Sequence, residues 1–457
     1  MTNSKNPLFL YIIILAQFAA PFMFSGVGVT LPSIGHDFSA DAVSLGLIET
    51  IYLGSSAAFL LPMGKLGDMF DKKLMFKLGL GLFAFTTLLI GFVPNITWML
   101  IVRFFQGIAS AMFASTSMAI ITEVVPPQRR GKAFGMSIGA IYAGIASGPF
   151  IAGIITEALS WHWVYWISFI PMAAATLLSF ASINSELKTS AEKFDYLGSV
   201  LIVASLMMVI LGGASLNQGS MGYTLIGIGV LVALLFVKVE LSSPCPLLDI
   251  RDLIYNVKLR ESLLIQMLIY SSAFGATFLF SLYLQVLRGY DAEIAGRILI
   301  VGSVVMACCA PIAGRLSDKY SPRAFATVGT ASIALSCILA TQISNNTSLA
   351  YIITILLLQG IGFALFSSPN MTIIMGSADK SKTSVVSALS AKTRSLGMVI
   401  SMLVVTVITS MIIGDGEVRY HKTAYLSVMS NTFTVFTLFA ASAVVLGCYS
   451  LVKSNCR

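Results

Sequence analysis

The stretch GKLGDMFDKK, residues 64–73, returns as GRLSDKYSPR, residues 314–323. Gly64, Leu66 and Asp68 recur as Gly314, Leu316 and Asp318, and a basic residue stands second and last in both copies. Each copy follows one long apolar run and precedes another. A repeat placed this way in a hydrophobic chain predicts two structurally similar halves.

The composition fits that reading. The 457 residues are 57% hydrophobic and 11% charged, against about 25% charged in soluble proteins. Mean hydropathy is +0.89. A bilayer-crossing helix needs roughly 20 mostly apolar residues, and about fourteen such runs follow one another between residues 8 and 452. No room remains for a soluble domain. The net charge of +8 forms no nucleic-acid stripe. Basic residues crowd every second connection, among them Lys65, Lys72, Lys73, Arg130, Arg315, Lys319 and Arg323, while the alternate ones carry little beyond Arg288, Arg419 and Lys422. The positive-inside rule then predicts a multi-pass protein of the cell (inner) membrane with both termini cytoplasmic. The first run is too long for a removed signal peptide.

Other chemistries find no support. The six cysteines fall mostly inside apolar runs and give no disulfide framework. The three histidines lack ligand spacing, so neither a metal nor a cofactor is expected. GMSIG, residues 135–139, formally matches a nucleophile elbow but opens an apolar helix where that motif needs a preceding strand. No phosphate-binding loop is present. An enzyme is therefore not expected.

Further motifs stand in order along the chain: LIVRFFQG with Arg103, Gln106 and Gly107; GIASGPFIAG at 144–153; WHWVYWISFIP at 161–171; FDYLG at 194–198; and PLLDIRDL at 246–253. With these, the chain resembles the major facilitator superfamily, and within it the fourteen-span drug:proton antiporters. The resemblance covers nearly the whole length. It implies an all-α membrane protein with two six-helix bundles, residues 1–190 and 243–457, and two extra central helices, residues 191–242. The repeat agrees: the copies begin 250 residues apart, and removing the extra helices leaves roughly 200 residues, enough for six spans.

The resemblance also assigns roles. Gly64, Asp68 and Lys72, with Gly314, Asp318 and Arg323, would form gating loops. There Asp68 would meet the start of helix 13 near Thr383, and Asp318 the start of helix 5 near Lys132, each through a helix-end dipole. GIASGPFIAG resembles the signature that marks exporters, with Ala152 where a glycine is usual. Its Gly144, Gly148 and Gly153 permit close helix approach, Pro149 would bend the helix, and helix 10 with Gly302 is the expected partner.

Charges within spans are functional candidates by default. Here they are Glu49, Arg103, Lys392 and Arg394. The family's first helix usually carries an acid where this chain has Met23. Glu49 lies about two turns into helix 2, roughly 9 Å deep at 1.5 Å per residue, and Arg103 lies at a similar depth in helix 4. Glu49 is therefore the expected proton-coupling acid, paired with Arg103. Gln17, Phe22, Met23, Gln266, Tyr270, Gln359, Asn370 and Arg394 are the expected wall of a substrate cavity. The expected function is proton-coupled export of small amphipathic compounds, multidrug or toxic, by alternating access. The alternative is transport of an endogenous vitamin, siderophore or lipid precursor. Expected partners are the substrate, protons and membrane lipids, with no nucleic acid, and a monomer is expected.

Overall fold

The structure is a computed structural model that describes residues 8–125, 130–182, 194–216, 220–243, 247, 256–377, 383–414, 416 and 418–455. Among the described residues there is no strand. Backbone polar groups in lipid must bond within their own segment, which leaves the helix as the natural unit for an apolar chain.

Among the described residues, fourteen helices are long and apolar enough to cross a membrane. The first six are α1 (Leu8–Phe38), α2 (Ala42–Met69), α3 (Lys72–Ile90), α4 (Ile96–Val124), α5 (Arg130–Ala158) and α6 (Trp161–Ser182). Two more follow, α7 (Tyr196–Ala214) and α8 (Ser220–Ser242). The last six are α9 (Val257–Leu287), α10 (Ala292–Lys319), α11 (Pro322–Ala340), α12 (Leu349–Gly376), α13 (Thr383–Ile412) and α14 (Lys422–Asn455). Helix α9 is interrupted: Val257–Ala273 and Ala276–Leu282 are separate helices, and Tyr283–Leu287 is a π-turn. Gly275 N–H, at the interruption, donates to Ser401 Oγ of α13 at 2.9 Å.

The repeated signature is less of a loop than its name implies. Gly64 to Met69 are the last turns of α2, and Asp71 caps α3 by accepting from Lys73 N–H at 2.7 Å. In the second copy Gly314 to Lys319 close α10, and Ser321 precedes Pro322 at the start of α11. An N-cap residue thus ends both turns.

The chain forms two compact units, one of residues 1–33 and 47–250, the other of residues 34–46 and 251–457. The extra pair α7 and α8 falls in the first. Its two helices approach through Gly212, Gly222 and Gly229, and α7 sets Met207 and Ile210 against Gly54 of α2. In the second unit, Ala42 N–H donates to Gly416 O at 3.1 Å. Close packing through small residues replaces the hydrophobic drive that lipid removes.

Candidate functional site

Polar side chains inside these helices are first satisfied locally. Thr86, Thr87, Ser55 and Thr116 donate to carbonyls three or four residues back, the usual recourse of a hydroxyl in a helix. A guanidinium cannot be satisfied that way, and Arg103 is fully buried. The first unit builds a cluster around it from five helices.

Arg103 Nη1 donates to Gln106 Oε1 at 3.0 Å, one turn along α4. Its Nη2 donates to Tyr165 Oη of α6 at 2.8 Å. The guanidinium carbon lies 5.3 Å from the Tyr165 ring centre and 5.5 Å from that of Tyr52 on α2, within cation–π range. Gln106 Nε2 donates to Thr87 Oγ1 of α3 at 2.8 Å and approaches Met23 Sδ of α1 at 3.5 Å. Tyr52 Oη donates to Ser110 Oγ at 3.3 Å. Glu49, one turn before Tyr52, is buried and feels the charge of Arg103.

The structure brings Met23, Glu49 and Arg103 into this one cluster. It does not close an ion pair between Glu49 and Arg103 among the described residues. Both terminal nitrogens of Arg103 are engaged elsewhere, while Nε is buried with no hydrogen-bond partner. Thr87, Tyr52 and Tyr165 were missed in the sequence. Tyr165 lies inside WHWVYWISFIP, and its four-residue spacing from Trp161 at a helix start was the available signal.

The repeat allows a comparison between the units, each taken by itself. A Cβ on Gly79 would lie 2.8 Å from Phe113 N, and one on Gly329 would lie 2.7 Å from Phe366 N. Gly107 sits against the Tyr52 carbonyl as Gly360 sits against that of Gly302. Gln106 reaches Met23 of α1, and Gln359 reaches Ala273 O of α9 at 2.9 Å. All these pairs correspond at offsets of 250 residues in the first three helices of each unit and 253 in the fourth. At those offsets Leu299 stands for Glu49 and Leu356 for Arg103, both buried. The glycine contacts and one glutamine are duplicated; the charge is not.

The other candidates are placed as follows. Gly144 and Gly148 of α5 approach α1: a Cβ on Gly144 would meet Phe22 N at 3.0 Å, and one on Gly148 would meet Gly26 N at 2.9 Å. A Cβ on Gly26 would meet that of Ala152 at 2.8 Å, so the unusual Ala152 is matched by a glycine across the contact. Pro149 and Gly153 are buried in the same helix. Gly302 is taken up by α12: a Cβ there would lie 3.1 Å from Leu356 O.

Gln17 is buried with Oε1 lacking a hydrogen-bond partner, and Phe22 stacks on Phe18 at 5.9 Å. Gln266 binds Ser390 twice, through Ser390 O at 2.8 Å and Ser390 Oγ at 3.0 Å, and Asn370 Nδ2 reaches Ser262 O at 3.4 Å. These two amides are therefore spent on tying α9, α12 and α13 together. Tyr270 packs on Phe363, and Arg394 is half-buried.

Asp68 is mostly exposed and pairs with Lys72 at 3.2 Å. Gly64 packs beside Ser115 and Gly314 beside Ser368. Arg323 lies in the first turn of α11. The side chains of Asp318, Lys132 and Thr383 lie outside the described residues, as does most of 246–253.

The chain is 27% identical over 378 residues to the riboflavin transporter RibZ of Clostridioides difficile, covering 82% of this chain and 81% of that one. It is 24% identical over 387 residues to the multidrug resistance protein Stp of Mycobacterium tuberculosis, covering 83% and 71%. The solved structure of a POT family transporter superposes with a TM-score of 0.70 at 15% identity, covering 98% and 96%. That likeness speaks to the fold. The Major Facilitator Superfamily profile matches residues 13–402. This multi-pass membrane protein belongs to the Major Facilitator Superfamily.

Proposed function

We propose that this transporter is a proton-coupled exporter of small amphipathic compounds, in the multidrug or toxic-compound class, working by alternating access. The observation that carries the reading is the buried Glu49–Arg103 cluster, present in one unit and replaced by Leu299 and Leu356 in the other. A charged side chain at the centre of a membrane helix costs about 3 kcal/mol on insertion scales. A packing role does not call for that cost, because the second unit fills the equivalent buried positions with leucines. A carboxylate that gains and loses the influence of an arginine can take up and release a proton, and Glu49 is the only carboxylate in the described cluster.

The direction and substrate class lean on GIASGPFIAG and on the likeness to Stp. The likeness to RibZ favours a second reading, transport of a vitamin-like metabolite. The inner membrane, cytoplasmic termini and a monomeric state complete the proposal. A deletion strain should be screened for growth and accumulation with dyes, biocides and riboflavin. Selective sensitivity to amphipathic cations and dyes supports the export reading. A change confined to riboflavin supports the second.

A further inference from the structure

We propose that Tyr165 is a positioning residue for proton exchange, its hydroxyl holding the Arg103 guanidinium off Glu49 while that carboxyl is protonated. The proposal rests on the reading of Glu49 as the proton-exchanging acid. It starts from the fact that Arg103 keeps its charge in every state. A fully buried guanidinium must always have acceptors. In this structure they are all neutral: the Gln106 amide oxygen at 3.0 Å, the Tyr165 hydroxyl at 2.8 Å, and the ring faces of Tyr52 and Tyr165.

An ionised carboxylate within reach would draw the guanidinium more strongly than a phenol does. The observed arrangement is the one that suits a neutral Glu49. Arg103 Nε, buried and unbonded, is a donor left for the other arrangement. Tyr165 is itself fully buried and held edge-on against Trp161 at 6.0 Å. It is a fixed acceptor, so the guanidinium is the part that moves.

The titratable and charged groups facing Glu49 are Arg103 from α4 and Tyr165 from α6, with Tyr52 on α2 itself. Helix α1 meets it with Gly28, and α7 meets α2 with Met207 and Ile210. The step balances simply. Glu49 carboxylate binds one proton from water. Its attraction on Arg103 is lost, a hydrogen bond from Nη2 to Tyr165 Oη forms, and the charge of the pair rises from zero to plus one. Release reverses each change.

The test needs no substrate. All four tryptophans, Trp98, Trp161, Trp163 and Trp166, lie on α4 and α6, so intrinsic fluorescence of the purified full chain reports on the cluster. Histidine as a residue type changes charge in the pH range of such a titration, and His162 stacks on Trp161 at 3.7 Å, so the titration is run in a His162→Gln parent. The parent should show a pH transition, and adding Glu49→Gln should abolish it. Adding Tyr165→Phe removes the acceptor of Arg103 Nη2 while Gln106 still holds Nη1, so Nη2 is drawn to Glu49 and the midpoint should move to lower pH by about one unit. Tyr165→Gln, which returns an acceptor, should move it back towards the parent. If the phenylalanine variant does not fold, 3-fluorotyrosine at 165 weakens the acceptor, and a smaller shift in the same direction is expected. A merely structural Tyr165 would lower thermal stability and leave the midpoint in place, and that result overturns the proposal. A transition that survives Glu49→Gln overturns the reading of Glu49 and the proposal with it. Loss in Glu49→Gln beside an unmoved midpoint in Tyr165→Phe overturns the role of Tyr165 alone.

Discussion

Gln106 and Gln359 show how one residue type serves two ends at equivalent places. Gln359 ties α12 to a backbone carbonyl of α9, whereas Gln106 also accepts from a charged donor. Replacing Gln106 with leucine leaves Arg103 Nη1 buried and unpaired and should cost about 1–3 kcal/mol. Gln359→Leu should cost about 1 kcal/mol. Thermal unfolding in detergent compares the two, and equal losses would mean that Arg103 finds another acceptor. A second prediction concerns Met23, which sits one amide away from Arg103. Glu49→Gln should abolish transport driven by a pH gradient while sparing downhill exchange. Met23→Asp, added to it, should restore gradient-driven transport by returning an acid to the same cluster. Proteoliposomes carrying the substrate found in the efflux screen provide the measurement, and failure of the restoration would tie coupling to the α2 position alone.

Among the helices, the α1–α5 contact is the tightest test of small-residue packing in the candidate site. The Cβ positions of Gly26 and Ala152 would lie 2.8 Å apart, too close for two methyl groups. Gly26→Ala should therefore destabilise by about 1–3 kcal/mol through overpacking. In an Ala152→Gly background the same change should cost much less, giving a coupling of roughly 1 kcal/mol in a double-mutant cycle. Additive losses would show that the backbone yields elsewhere. This pairing explains how the chain tolerates alanine where a glycine is usual: the room was made on α1.

For the whole molecule, the repeated signature ends α2 and α10. Asp68 is exposed and Lys72 partly buried in their ion pair, and a pair so open to solvent contributes at most about 1 kcal/mol. Asp68→Asn should leave the unfolding temperature nearly unchanged. If the signature gates transport, turnover should still fall several-fold while substrate binding survives. Unchanged turnover would reduce the motif to a positive-inside turn. Orientation is tested by impermeant-thiol labelling of cysteines placed at Lys72, Arg130 and Lys319 in a cysteine-free background. Protection in intact cells is the expected result, and ready labelling would invert the topology.

The number of spans, their order and the duplicated halves were legible in the sequence. They follow from hydropathy and a ten-residue repeat, and in lipid an apolar run has little choice but to be a helix. Glu49 and Arg103 were legible as a pair of anomalies, because charge in an apolar run stands out without any fold. Their partners were not. Tyr165, Thr87 and Tyr52 are ordinary residues for a membrane helix, and only packing of five helices set Tyr165 and Tyr52 against the guanidinium and Thr87 against Gln106. The same holds for Gln266 and Asn370, which read as cavity residues one at a time and in the fold bind Ser390 and Ser262. A sequence records which groups need partners. Which partner each group takes depends on distances between helices far apart in the chain, and these are decided when the helices pack.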